Sequence, residues 1–78
     1  MHNAAVAHTT VGKIGTVIIA IRGGDLAGEI KVTVDGIAHY YLAYAVDPVP
    51  IGERVLIIHH RGARQVDVEP WPVTAEGQ

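Results

Sequence analysis

From residue 11 onward, apolar and polar residues alternate in short runs separated by glycine and proline. In residues 11–21, Val11, Lys13, Gly15, Val17, Ile19 and Ile21 share one strand face, and Ile14, Thr16, Ile18 and Ala20 share the other. Apolar positions on both faces predict a central strand covered on each side, or one that bends at Gly15 and changes face. Residues 22–28 hold three glycines and predict a loop. The next run is the clearest: Ile30, Val32 and Val34 point one way, while Glu29, Lys31, Thr33 and Asp35 point the other. Asp35-Gly36 is the dipeptide of a two-residue type I′ hairpin, and residues 37–46 form the return strand. In that strand Tyr40, Leu42 and Tyr44 alternate with His39, Tyr41 and Ala43.

Residues 47–53 carry two prolines and a glycine, which forbid an α-helix there. Residues 54–60 predict a fourth strand, with Val55 and Ile57 on one face and Leu56 and Ile58 on the other. Residues 61–63 predict a turn, and residues 64–69 a fifth strand with Val66 and Val68 inward. Pro70 and Pro72 are expected to end it, with Trp71 folding back over the barrel mouth. Residues 1–10 show no period and are expected to be a flexible N-terminal arm; residues 71–78 are expected to be a C-terminal tail.

Composition sharpens this reading. Val and Ile number 20 of 78 residues, against three Leu, one Met and no Phe. Branching at Cβ suits a pleated strand better than a helix. Five short strands suit a closed barrel, which removes the edges an open sheet must protect. The expected fold is all-β: a small five-stranded OB-fold-like barrel spanning residues 11–70 and lacking the helix between strands 3 and 4. Its order is a three-stranded meander, a proline-rich crossing and a hairpin.

The chemistry available is limited. Cysteine and serine are absent, which removes disulfides, thiolate metal sites and two common nucleophiles. No apolar run approaches the ~18–20 residues that span a bilayer. Asp25 and Glu29 flank a glycine loop and read as solvated turn acids. Gly23-Gly24 precedes a strand and lacks the lysine-serine ending of a phosphate loop. His59 and His60 are adjacent, so alternation sends them to opposite faces and they cannot easily share an ion. No catalytic residue, no cofactor and no metal is therefore expected. Tyrosines with Arg22, Lys31, Arg54, Arg61 and Arg64 could serve a single-strand nucleic-acid groove, but six basic residues face eight acidic ones.

Four segments together resemble the soluble C-terminal domain of NfeD-like proteins, a small OB-fold barrel. They are Val11-Gly12-Lys13-Ile14-Gly15-Thr16-Val17, Gly28-Glu29-Ile30-Lys31-Val32 leading to Asp35-Gly36, Val49-Pro50-Ile51-Gly52-Glu53-Arg54-Val55, and Val66-Asp67-Val68-Glu69-Pro70. The family sets this domain after several membrane helices, which this sequence does not show; a free-standing form and an excised piece both fit. The tyrosine-rich strand also departs from the family pattern. The resemblance implies a non-catalytic protein-interaction module, accessory to a stomatin- or flotillin-type membrane scaffold protein. It implies a cytoplasmic, membrane-proximal location, with no insertion of this chain.

Rigid barrels bind through their loops and edges, so the expected interaction surface is Arg22, Asp25, Leu26, Tyr40, Tyr41 and Tyr44. The loop could equally be a flexible connector. Of the tyrosines, the Tyr40 and Tyr44 face reads as core or barrel mouth, and the Tyr41 side as exposed. A self-associating β module and a single-stranded nucleic-acid binder are the alternative functions.

Overall fold

The computed structural model describes residues 10–72. The expected arm, apart from Thr10, and the tail after Pro72 lie outside the described residues. Five strands form: β1 (Ile14–Ile19), β2 (Gly28–Val34), β3 (Ile37–Tyr44), β4 (Arg54–Gly62) and β5 (Gln65–Pro70). They close into a barrel in the order β1-β2-β3-β5-β4, with β1 returning to pair with β4. Only β3 and β5 run parallel; the other four pairings are antiparallel. This is the all-β, OB-fold-like barrel that the alternation predicts, and the stretch between β3 and β4 carries no helix.

Alternation sorts the core. Ile30 and Val32 of β2, Val55 and Ile57 of β4, and Val66 and Val68 of β5 all point inward and are buried. Ile21 and Val49 close one end, each donating its N–H to the other's carbonyl at 2.9 Å. Among the described residues no polar or charged residue is buried, so the interior rests on apolar packing alone.

Several expectations are corrected. The first strand is shorter than residues 11–21, and its change of face comes from a bulge between Val17 and Ile19, not from Gly15. That bulge brings the Ile19 and Ala20 carbonyls onto Gly28, where a methyl group would overlap them. The Asp35-Gly36 turn is as expected, with φ of 51° and 81°. The last turn is not at residues 61–63 but at Ala63-Arg64, both left-handed at 53° and 58°. Neither residue type favours that region, so nothing in the residues themselves marks the turn there. Pro70 lies within β5, its last residue, and Trp71 remains 44% exposed. The tyrosine faces are reversed. Ala43 and Ala45 take the crowded interior, which turns Tyr40 and Tyr44 outward and Tyr41 inward against the core.

A groove between a glycine loop and the end of β3

The loop after β1 is docked rather than slack. Gly23 and Gly24 both have positive φ, which lets the chain fold tightly onto residues 45–48. Gly24 N–H donates to the Ala45 carbonyl at 3.0 Å, and a methyl group at Gly23 would press on the Val46 carbonyl and Pro48. Leu26 N–H donates to Gly23 O at 3.1 Å, and Arg22 N–H to Leu26 O at 3.2 Å. These bonds hold Asp25 at the rim of an open groove of about 480 Å³.

The facing wall comes from three strands. Tyr44 enters from the end of β3 and Val46 from the segment just after it, Ile58, His59 and Arg61 from β4, and Asp67 from β5. Strict alternation would place His59 and Arg61 on the same inward face as Ile57. Bulges between Ile57 and His59 and between His60 and Gly62 re-aim both side chains onto the outer surface.

There Asp67 organises the charges. Arg61 donates Nε to Asp67 Oδ2 at 3.0 Å and Nη2 to Oδ1 at 2.7 Å, a two-point contact that fixes the guanidinium plane. His59 Nδ1 lies 3.2 Å from Asp67 Oδ2. The Arg61 hydrogen bonds hold the Asp67 carboxyl below its ordinary pKa, against slight burial and with help from His59. The same bonds hold the Arg61 guanidinium above its ordinary value. Arg61 also lies over the Tyr44 ring, 3.9 Å from its centroid, and Tyr44 donates its hydroxyl to Gln65 Oε1 at 3.0 Å. The side chains of His59, Arg61, Asp67, Tyr44 and Gln65 are thus joined in one connected set of contacts along this wall.

Beside this polar set the groove is apolar. Val46 is 88% exposed and Ile58 about half exposed, a placement that costs hydration and suits contact with another surface. No His, Asp or Glu set of three among the described residues gathers as a metal site would.

Of the expected interaction residues, the fold brings Asp25 and Tyr44 together at this groove. Leu26 is exposed in the same loop but does not line the groove, and Arg22 lines a separate hollow with Pro48 and Pro50. Tyr40 lies farther along the outer face of β3, and Tyr41 turns inward. The interaction surface expected from the sequence leaves out Val46, Ile58, His59, Arg61 and Asp67; of these the sequence offers Arg61 only as a nucleic-acid contact and His59 only as a rejected metal ligand. Arg61 and Asp67 flank the Ala63-Arg64 turn, but regular pairing from Gly62 and Gln65 would set Arg61 opposite Val66, so it is the bulges, which no local pattern records, that bring the two charges together.

Comparison with known proteins gives a consistent result. Residues 14–69 match the family model of the NfeD C-terminal domain. The fold is similar to the C-terminal domain of a stomatin operon partner protein from Pyrococcus horikoshii, with a TM-score of 0.65 and 22% identity over 85% of this chain and 94% of that one. It is also similar to the soluble domain of the NfeD protein YuaF from Bacillus subtilis, with a TM-score of 0.70 and 22% identity over 90% of this chain and 88% of that one. A search of curated proteins found no match.

Proposed function

Because this chain belongs to the NfeD C-terminal domain family, we propose that it is a non-catalytic interaction module accessory to a stomatin- or flotillin-type membrane scaffold protein. The observation that carries this reading is the groove: Val46 stands 88% exposed between a hydrogen-bonded loop and an immobilised Arg61–Tyr44–Asp67 wall. Rigid walls lose little freedom on binding, so an apolar side chain of a partner can be taken in at low entropic cost. One of the similar folds belongs to a protein whose description names it a stomatin operon partner, which supports this class of partner. The chain would then work at the cytoplasmic face of a membrane through that partner.

The test is a binding measurement with a purified stomatin-type protein encoded beside this chain. Wild type is expected to bind saturably, and Val46→Asp to weaken binding at least about tenfold by setting a charge in the apolar contact. Val46 is solvated in the unbound chain, so its replacement leaves the fold intact. Absence of wild-type binding, or equal binding by Val46→Asp, contradicts the proposal.

A further inference from the structure

Barrel closure covers strand edges only where neighbours overlap, and the β2–β3 hairpin outruns its neighbours. β5 begins at Gln65, opposite Leu42, so residues 37–41 of β3 have β2 on one side. On the other side they have no strand among the described residues. The direction of the backbone groups is settled by two contacts. Leu42 N–H donates to Arg64 O at 2.9 Å, and Arg64 Nε donates to Tyr40 O at 3.1 Å. Even-numbered residues of β3 therefore aim their N–H and C=O away from β2, and alternation extends this to Ala38. Ala38 N–H, Ala38 C=O and Tyr40 N–H form a short ladder edge.

Natural edges are blunted by lysine, proline or a bulge. This one has none of them. β3 carries no charged side chain from Ile37 to Tyr44, and its pairing with β2 is regular throughout. Among the described residues Arg64 is the one cation set against the edge: its guanidinium lies over the Tyr41 ring, 4.9 Å from the centroid, and its single Nε contact leaves the second lone pair of the Tyr40 carbonyl open.

We infer that two copies of this chain associate through antiparallel pairing of their β3 edges, Ala38 of each copy opposite Tyr40 of the other. The register is self-complementary in size. Each exposed Tyr40 ring lies beside an Ala38 methyl on the outer face, and each Ile37 meets a Tyr41 on the other face. His39 falls opposite its own counterpart at the two-fold axis. An uncharged strand meets its copy without like-charge repulsion, whereas the acidic remainder of the chain would not favour a general self-contact. The contact is short, so the association is weak and visible only at high concentration.

Sedimentation equilibrium of the whole chain from about 10 μM to about 2 mM brackets such an affinity. The mass is expected to rise from 8.3 kDa toward twice that value. Hydrogen exchange at the Ala38 and Tyr40 amides is expected to slow over the same range, while exchange at Lys31, which pairs within the barrel, stays constant. Ala38→Pro removes the edge donor without touching the β2 ladder and is expected to hold the mass at one copy. A wild-type mass of one copy throughout overturns the inference, whether a partner's strand or this chain's own termini cover the edge. So does Ala38→Pro that dimerises like wild type. Should Ala38→Pro fail to fold, concentration-independent exchange at Ala38 and Tyr40 overturns it alone.

Discussion

Asp67 links the largest number of polar contacts in the molecule's candidate site, and its titration has a definite sign. The fold lowers its pKa, chiefly through Arg61, so the unfolded chain binds the proton more readily. Its contribution to stability is complete above the unfolded value of about 3.9 and disappears as pH falls through the lower folded value. Asp67→Asn is therefore expected to lower the urea midpoint at pH 7 and to flatten the loss of stability between about pH 4 and pH 2. Equal midpoints for the two proteins across that range would show that the contact adds nothing. Gly28 is the opposite kind of residue, defined by what cannot be there. Its position against the Ile19 and Ala20 carbonyls leaves no room for a methyl group, and the obstruction is backbone. Gly28→Ala is expected to cost about 2–3 kcal/mol, read from chemical denaturation.

The two hairpins are a natural comparison at the level of elements. Asp35-Gly36 has residues suited to left-handed φ at both positions, and the sequence showed it directly. Ala63-Arg64 adopts the same geometry with residues that disfavour it, held by pairing on both sides of the turn. Ala63→Asn, which tolerates the left-handed region, is expected to stabilise the protein by about 0.5 kcal/mol, seen as a higher urea midpoint at unchanged slope. The contrast explains what sequence reading can reach. Strand identities and the inward faces of β2, β4 and β5 follow from side-chain alternation, which is written in the residues. The bulges in β1 and β4 depend on how distant strands meet, and no local pattern records them. Arg61 and His59 therefore reach the groove by a route that no local pattern records, while the loop position of Asp25 and the aromatic character of Tyr44 are local properties.

For the whole molecule, the barrel rests on few side chains. Eleven described residues form the buried cluster, all of them valine, isoleucine or alanine. A chain of this length has a total stability of only about 4–12 kcal/mol. Ile57→Ala removes a fully buried side chain at the junction of β4 and β5 and is expected to cost about 3 kcal/mol. Thermal unfolding should show that loss as a drop of more than about 10 °C, given the small size of the domain. An unchanged melting temperature would mean that the cluster can collapse around the gap. The closed order of strands was legible as a class, because five short strands without a helix leave few compact arrangements. The parallel contact of β3 with β5 follows only from closure.

That closure has a consequence for the growing chain on the ribosome. β1 finds its second neighbour in residues 54–56, and β3 finds its own in residues 65–67. Until those residues leave the exit tunnel, β1, β2 and β3 form a meander with both flanks bare and its valines wetted. Residues 65–67 must emerge before the cylinder can shut, so every nascent intermediate that lacks them keeps bare strand edges exposed to aggregation.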